Sequence, residues 1–495
     1  MESAEINESM IAWLPDLLYT GGRFERGQAL VSDPSGQIAS VTRVDELRDE
    51  KRIRLAKRAM LPGMVNAHSH AFQRVLRGRT EYRASNKDSF WTWREMMYSA
   101  ATRLTPEDIY DASRMAFLEM ALNGITAVGE FHYLHHDPDG HSYDDPNLLA
   151  KGVVRAAGDV GLRIALLRVA YARAGFQTEP NPKQARFVEK DPANYLKNLE
   201  ELIADVRGGA LLDGRASAPD ASAWVGVAPH SFRAVPLDYL REVITQATQR
   251  NLKVHMHVAE QPAEVSACVE EYGRTPFALL ETEGLLSERF TAVHAIHVTP
   301  KAIPAFARSG AMVCACPTTE RNLGDGVVPA DEYLKHHVPI CLGTDSHAQI
   351  DLLEDARELE YHLRLQKLER AVLSDTSPAI GEGMVMSAAL PDGRASDTAA
   401  VLFDCATVNG ARSIGAPGGT LERGRPADFF TVALDDPAIA GASPDDLLAS
   451  IVFSLSRAAV REVVVGGKPV VSEGQHLIQE EVVERFNELQ KSLWG

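Results

Sequence analysis

Eight short apolar runs recur along the middle of the chain, separated by longer segments with helical spacing. Apolar runs of this length are typical of buried β-strands, and segments such as PEDIYDASRMAFLEMALN have the periodicity of amphipathic helices. Strands that alternate with helices in this way predict an α/β fold, and eight repeats predict a (β/α)8 TIM-like barrel. The eight runs are GMVNAHSH, GITAVGEFHY, LRIALLRVAY, WVGVAPHS, LKVHMHVAE, FTAVHAIHV, GAMVCACPTT and VPICLGTDSH.

Several of the predicted strands have polar C-terminal ends, which is where the chemistry of such a barrel takes place. His68 and His70 end the first run. Because side chains alternate along a strand, both imidazoles can point to the same side. An isolated pair of this kind is more often two polar residues where a strand leaves the core. Other strand ends add to the pair: His257 and Glu260 at the fifth, His294 at the sixth and Asp345 at the eighth.

Imidazole nitrogens and a carboxylate oxygen are common zinc ligands, and catalytic zinc sites keep one position for water. We therefore predict that one divalent metal binds at a single site. Two-metal barrels of this type commonly need a bridging carboxylated lysine at the end of strand four, and WVGVAPHS contains no lysine. The predicted ligands are His68, His70, His257 and Asp345.

Glu260 and His294 are predicted to act beside the metal without binding it. Glu260 follows His257 by three residues, where it can face the reacting water as a proton shuttle, although a solvated loop glutamate is the alternative. His294 can orient or deprotonate the same water.

The segment HYLHHDPDGH contains four more histidines, and its Pro, Asp and Gly content indicates a surface turn. Only Tyr133, next to the strand end, is kept there as a pocket candidate. The four histidines are His132, His135, His136 and His141.

The segments that flank the barrel have short strand-like stretches and turns. We interpret residues 1–61 and 420–478 as one small β-sandwich domain built from both ends of the chain, with the barrel at 62–419. Residues 479–495 have helical spacing and are expected to form a helix docked on these domains. Residues 173–222 are rich in Pro, Gly, Asp and Ala and are expected to form a surface insertion.

Charge and composition exclude some classes of binding partner and predict the cellular compartment. The net charge of −17, with no cluster of Lys or Arg, argues against nucleic acid or an anionic membrane as a partner, and an anionic ligand would need arginines placed locally. The chain has no apolar run of about 18 residues and no basic-then-apolar N-terminal signal, which predicts a cytoplasmic protein. The five cysteines are expected to be reduced core thiols: Cys268, Cys314, Cys316, Cys341 and Cys405.

Several strings resemble a known family. PGMVNAHSH, HVAE, VHA, GTDSH and GTLERGRPADFF are similar to motifs of the amidohydrolase superfamily, in its mononuclear deaminase-like branch, over essentially the whole chain. More narrowly, NAHSHAFQRVLRGR, DSFWTWREMMY, EFHY, APHSFRAV and CPTTERNLGDG resemble the formimidoylglutamate deiminases, a family of bacterial histidine-degradation enzymes.

This resemblance implies a metallo-dependent hydrolase barrel, a bound zinc ion with iron(II) as the alternative, and a homodimer. It also implies hydrolytic deimination of N-formimidoyl-L-glutamate to N-formyl-L-glutamate and ammonia, in which Glu260, His294 and Asp345 move protons. Arginine binds carboxylates bidentately, so the arginines would recognise a dicarboxylate substrate. The residues implied to face it are Gln73, Arg94, Tyr133, His230 and Arg233.

Two other functions stay open on the sequence alone. A deaminase of a purine or pyrimidine ring would need a flat apolar slot with amide-type base readers, whereas two arginines near the rim favour a dicarboxylate. A non-catalytic barrel scaffold should have lost ligands, and all four predicted ligands are present.

Overall fold

The computed structural model describes residues 10–81, 90–208, 222–374 and 398–495. Within these residues the chain forms two sheets, one of nine strands and one of eight. The strands before the barrel are β1 (Ile11–Thr20), β2 (Arg23–Glu25), β3 (Gln28–Ser32), β4 (Ile38–Arg43) and β5 (Lys51–Pro62). The barrel strands are β6 (Met64–Ser69), β7 (Ile125–His132), β8 (Arg163–Ala170), β9 (Ala223–Pro229), β10 (Val254–Val258), β11 (Phe290–His294), β12 (Met312–Ala315) and β13 (Ile340–Leu342). The strands after the barrel are β14 (Phe429–Ala433), β15 (Val460–Val465), β16 (Lys468–Ser472) and β17 (Gln475–His476).

The predicted barrel is confirmed, because each barrel strand lies in one of the eight apolar runs to within one residue. The strands pair in chain order from β6 to β13 and are parallel throughout. A single bridge between Ser69 and Asp345 joins the two ends of this sheet. There the amide of Asp345 donates to the carbonyl of His68 at 3.0 Å, and the amide of His70 donates to the carbonyl of Asp345 at 3.1 Å. Barrel closure therefore places the first and last strand ends side by side.

Helices cover the outside of the barrel and bury their apolar faces against it, as βα units require. None of the described helices is both long and apolar enough to cross a membrane. The helices are α1 (Phe90–Ala101), α2 (Pro106–Leu122), α3 (Leu148–Val160), α4 (Pro192–Arg207), α5 (Leu237–Gln249), α6 (Pro262–Tyr272), α7 (Pro276–Thr282), α8 (Ile303–Arg308), α9 (Pro317–Leu323), α10 (Ala330–Lys335), α11 (Leu352–Lys367), α12 (Thr398–Ala406), α13 (Val408–Ile414), α14 (Leu447–Ser454) and α15 (Gln479–Trp494). Short 3-10 helices occupy Val44–Glu46, Ala71–Leu76, Pro182–Phe187 and Arg457–Ala459.

The nine-stranded sheet is built from both ends of the chain. Its main path runs β17-β16-β15-β14-β5-β1-β3-β4, so the C-terminal strand β14 pairs with the N-terminal strand β5. The chain passes from β5 into the barrel through Gly63, where a Cβ atom would lie 2.3 Å from Oγ1 of Thr126. A buried ion pair also joins sheet and barrel: Nε of Arg163 donates to Asp428 at 2.7 Å.

The predicted surface insertion at 173–222 is wrong for residues 182–187 and 192–207. Residues 192–207 form α4, the crossover helix between β8 and β9, and it buries Tyr195, Leu199, Leu202 and Ile203. Residues 182–187 form a 3-10 helix that buries Gln184, Arg186 and Phe187. The Pro, Gly and Ala content of the whole segment led to the prediction of an insertion, although α4 itself has helical spacing. Residues 209–221 lie outside the described residues.

The C-terminal helix docks on the barrel, as its spacing indicated. On α15, the carboxylate of Glu481 accepts two hydrogen bonds from the guanidinium of Arg114 on α2, at 2.8 and 2.5 Å. The ring of Phe486 lies 5.0 Å below the guanidinium of Arg74. All five cysteines are buried and free, which confirms the expected core thiols.

Candidate metal centre and its pocket

Four predicted ligands converge at the C-terminal end of the barrel. His68 and His70 come from the end of β6, His257 from β10, and Asp345 from the turn after β13. One ligand atom from each side chain lies within 4.8 Å of the others, and all four side chains are buried. The structure thus brings together every residue of the predicted metal site.

The distances between these atoms match a shared cation. Nε2 of His68 lies 3.2 Å from Nε2 of His70 and 3.2 Å from Nε2 of His257. Oδ1 of Asp345 lies 3.1 Å from Nε2 of His70 and 3.5 Å from Nε2 of His68. Ligand bonds of about 2.0 to 2.1 Å in tetrahedral geometry place ligand atoms about 3.3 Å apart, so the spacing fits zinc.

Hydrogen bonds among the four groups account for only part of this close approach. Nδ1 of His70 donates to the carbonyl of Phe131 at 3.0 Å, and Nδ1 of His257 donates to the carbonyl of His230 at 3.1 Å. In their neutral forms, both Nε2 atoms therefore present lone pairs to the centre. Burial lowers the pKa of His68 to about 3 and that of His257 well below its usual value, which disfavours protonation. Lone pairs that converge on one point are suited to a cation, and the donor set fits a divalent metal.

Glu260 and His294 lie beside this cluster. Nε2 of His294 is 3.7 Å from Oε1 of Glu260 and 3.7 Å from Oδ2 of Asp345. Burial alone would lower the pKa of His294, but the carboxylates of Glu260, Glu320 and Asp345 raise it to about 10. A divalent cation bound at Asp345 would oppose this effect and favour the neutral ring, which can accept a proton.

Three strand ends near the centre have left-handed backbone at non-glycine residues. The φ angles are 54° at Ala259, 67° at His294 and 44° at Asp345. Residues in this region cost about 1 to 3 kcal/mol each and persist only where surrounding contacts hold them. Two of these residues, His294 and Asp345, belong to the site, and Ala259 directly precedes Glu260.

A pocket beside the metal centre contains all five residues that were predicted to face the substrate, together with Glu260. Nε2 of Gln73 donates to the hydroxyl of Tyr133 at 2.7 Å, which fixes both side chains. The ring of His230 lies 4.9 Å from that of His257 and 4.8 Å from that of Tyr171. Aromatic side chains thus form much of the wall between the metal centre and the barrel rim.

Arg94 and Arg233, which we call the arginine wall, face this pocket. Nε and Nη1 of Arg233 are buried without a hydrogen-bond partner among the described residues. Its Nη2 lies 4.0 Å from Oε2 of Glu260. Arg94 hydrogen-bonds the hydroxyl of Tyr98 and the carbonyl of Ala174. Buried guanidinium N–H groups without partners are costly, so the pocket is suited to an anionic ligand.

The sequence did not identify Tyr98, Tyr171, Gln184 and Glu320. Nε2 of Gln184 donates to the hydroxyls of Tyr98 and Tyr171, at 2.7 and 2.5 Å, so these three side chains support the position of Arg94. Tyr171 ends the third apolar run and could have been found by the strand-end rule used for the ligands. Glu320 hydrogen-bonds Nδ1 of His294 at 3.2 Å, and its place inside α9 offered no signal.

The interpretation of HYLHHDPDGH as a surface turn is wrong for three of its histidines. His132 and His135 are 3% exposed and His136 is 8% exposed, whereas His141 is exposed. The 3-10 helix that contains Arg186 covers two of them: the amides of His135 and His136 both donate to the carbonyl of Arg186 at 3.1 Å. The cover comes from residues about 50 positions away, so local composition could not reveal it.

Comparisons with known proteins agree with this geometry. The sequence model of the amidohydrolase family matches residues 59–470. Formimidoylglutamate deiminase of Pseudomonas aeruginosa is 39% identical over 430 residues, which cover 86% of this chain and 88% of that protein. The 5-methylthioadenosine/S-adenosylhomocysteine deaminase of Haloarcula marismortui is 27% identical over 96% of this chain and 95% of that protein. Among solved structures, an amidohydrolase from Brucella melitensis superposes with a TM-score of 0.84 at 32% identity, covering 98% of this chain and 100% of that one.

Proposed function

The chain belongs to the amidohydrolase family, and from this premise we propose that it hydrolyses N-formimidoyl-L-glutamate to N-formyl-L-glutamate and ammonia. One observation carries the proposal: a metal-donor cluster and two arginines face the same buried pocket. The relative from Pseudomonas aeruginosa supports this choice of substrate by its name.

The proposed metal ligands are His68, His70, His257 and Asp345, and zinc is the metal that three imidazoles and one carboxylate favour. A bound divalent metal would polarise a water molecule and lower its pKa from about 15.7 to about 7.

Three side chains of the protein carry out the proton transfers of the reaction. Water adds to the formimidoyl carbon. One proton of the water passes to Nε2 of His294 and Oδ2 of Asp345, which lie 3.7 Å apart. Glu260, whose Oε1 is 3.7 Å from the same imidazole nitrogen, moves the other proton of the water to the imino nitrogen. The proton held by His294 and Asp345 is then delivered to the same nitrogen as it leaves. The carbon–nitrogen bond breaks, ammonia leaves, and the oxygen of the water becomes the formyl oxygen. A general acid or base in such a position supplies about 10² to 10⁴ in rate.

The arginine wall supplies the selectivity. N-formimidoyl-L-glutamate carries two carboxylates, and each guanidinium can bind one through two parallel hydrogen bonds. Arg233 has free donors at Nε and Nη1 among the described residues and lies nearer Glu260, while Arg94 is held in place by Tyr98 and Ala174. Two fixed cations on one wall are matched to a flexible dicarboxylate.

A deaminase of a purine ring is the second candidate, because the relative from Haloarcula marismortui aligns over nearly the whole chain. Its name describes two nucleoside substrates: 5-methylthioadenosine has no carboxylate and S-adenosylhomocysteine has one, so neither would pair with both arginines of the wall. The arginine wall therefore favours the amidine substrate.

The test is ammonia release by zinc-loaded protein from a matched panel. The panel contains N-formimidoyl-L-glutamate, N-formimidoylglycine, which lacks the side-chain carboxylate, N-formimidoyl-4-aminobutyrate, which lacks the α-carboxylate, and adenosine. We expect the first compound to be preferred by at least about 30-fold over each single-carboxylate analogue, since an unpaired buried charge costs about 2 kcal/mol or more. Preference for adenosine would replace the proposed substrate with a purine.

A further inference from the structure

Glu320 is a buried carboxylate that the reaction described above does not use. It lies in α9, directly after β12, and is 1% exposed. Its Oε1 accepts a hydrogen bond from the amide of Cys316 at 2.8 Å and lies 3.2 Å from Nδ1 of His294. Among the described residues, His294 is the one basic side chain within ion-pair distance of this carboxylate.

The other nitrogen of His294 faces the reaction centre. Nε2 lies 3.7 Å from both Glu260 and Asp345 and has no hydrogen-bond partner within the described part of the chain. A hydrogen bond at one imidazole nitrogen decides the state of the other: a proton held on Nδ1 leaves the Nε2 lone pair available in the neutral ring.

The backbone gives a second reason for such a contact. His294 and Ala295 are both left-handed, with φ angles of 67° and 52°, at the point where β11 ends. Strained residues of this kind keep one conformation only where their surroundings fix them. The hydrogen bond to Glu320 ties the His294 ring to α9, an element of the neighbouring βα unit.

From this geometry we infer that Glu320 is a positioning residue: it holds the proton of His294 on Nδ1 and keeps Nε2 directed at the reacting water. The arrangement is a carboxylate–histidine pair, in which the carboxylate fixes the ring and stabilises the imidazolium that forms when Nε2 takes a proton. The inference rests on the proposed role of His294 as a proton acceptor.

Two substitutions separate the charge of Glu320 from its hydrogen bond. Glu320→Gln keeps an acceptor oxygen for Nδ1 but removes the charge, and Glu320→Met removes both. Asp355→Asn is the matched control, because Asp355 is also a fully buried carboxylate, and its Oδ1 accepts from the amide of Thr318 at 3.0 Å.

The first measurement is steady-state kinetics with zinc content. We expect kcat to fall about 10- to 100-fold in Glu320→Gln and further in Glu320→Met, while KM changes less than about threefold and zinc stays near one per chain. Asp355→Asn should keep the kcat of the wild type. Equal kcat in the wild type and Glu320→Gln, or loss of zinc from Glu320→Gln, would overturn the inference. Should Glu320→Met fail to fold, the comparison of Glu320→Gln with Asp355→Asn still decides.

The second measurement needs no substrate and so remains valid if the proposed reaction is wrong. Nitrogen-15 NMR of histidine-labelled, zinc-loaded protein, with His294→Asn to assign the signal, reports which ring nitrogen carries a proton. We expect a proton on Nδ1 of His294 in the wild type and in Glu320→Gln, and a mixture of tautomers in Glu320→Met. An unprotonated Nδ1 in the wild type would contradict the inference, whatever the substrate.

Discussion

The metal-donor cluster and the arginine wall belong to the same pocket but are built differently. The four donors come from strand ends, and backbone carbonyls of Phe131 and His230 fix two of the imidazoles. Arg94 comes from α1 and Arg233 from the turn after β9, and their neighbours are mainly aromatic side chains. The four donors converge on one point, whereas Arg233 has buried N–H groups without partners among the described residues. The cluster is thus organised for one ion, and the wall for a separate anionic ligand.

This difference predicts that ligand loss and arginine loss have separate signatures. The largest effect is expected for His257→Ala, which removes one of four donors. Zinc content and activity should both collapse, since the remaining groups cannot complete the site. Elemental analysis of the purified variant is the measurement. His141→Ala, which changes an exposed histidine outside the cluster, is the control and should keep its zinc. Full zinc occupancy in His257→Ala would refute the ligand assignment.

Next in size is Glu260→Gln, which keeps shape and hydrogen bonding but cannot transfer the proton. We expect kcat to fall by at least about 100-fold with zinc still near one per chain. Glu270→Gln, an exposed position on α6, serves as the control. A parallel loss of zinc and activity would mean that Glu260 is a metal ligand and not a proton shuttle.

The arginine wall is expected to affect the reaction through binding of the substrate. Arg233→Met and Arg94→Met should each lower kcat/KM by about 30-fold to several thousand-fold, or about 2 to 5 kcal/mol, because each leaves a carboxylate unpaired in a desolvated pocket. Zinc content should not change. Arg241→Met on α5, which removes an arginine that is about half exposed, is the control.

A sharper form of this test uses the analogues that lack one carboxylate. Each analogue should be poor for the wild type yet lose much less on substitution of the arginine that faces the missing group. Equal losses for every substrate would show that the arginines support the pocket rather than bind carboxylates.

The smallest effect on the reaction is expected for a change outside the pocket, in the buried ion pair of Arg168 and Glu189. Nη1 of Arg168 lies 2.6 Å from Oε2 of Glu189. Burial alone would raise the pKa of Glu189, but His135 and Arg168 lower it to about 2, against 4.5 for a free glutamate. A lowered pKa in the folded state stabilises the protein above about pH 4.5, and this stabilisation is lost as the pH falls toward 2.

Glu189→Gln should therefore lower the free energy of unfolding by about 3 to 5 kcal/mol at pH 7 and flatten its decline between about pH 4.5 and 2. Denaturant unfolding across that range is the measurement, and kcat of the folded variant should stay within about threefold. Asp435→Asn, which breaks an exposed pair with Lys57, is the control and should leave the free energy of unfolding nearly unchanged. An unchanged pH slope in Glu189→Gln would show that this pair does not control acid stability.

Short sequence patterns predicted the barrel strands and the four candidate metal ligands. The eight apolar runs predicted the barrel strands, since a strand buried on both faces leaves a continuous apolar run. The polar ends of those runs predicted His68, His70, His257 and Asp345, because strand ends meet at one rim of a barrel. Residues 173–222 combine helix-forming residues with Pro and Gly, and there the sequence pattern did not reveal helix α4.

What the sequence by itself determined is therefore the set of strands and the candidate metal donors, because each strand and its polar end is marked by residues near each other in the chain. Tertiary structure alone decided the burial of His132, His135 and His136, the contact of Glu320 with His294 and the support of Arg94 by Gln184. Each of these depends on a loop or helix that is distant in sequence and packs over a strand end. Periodicity reports which face of an element is apolar, but not which remote segment covers it.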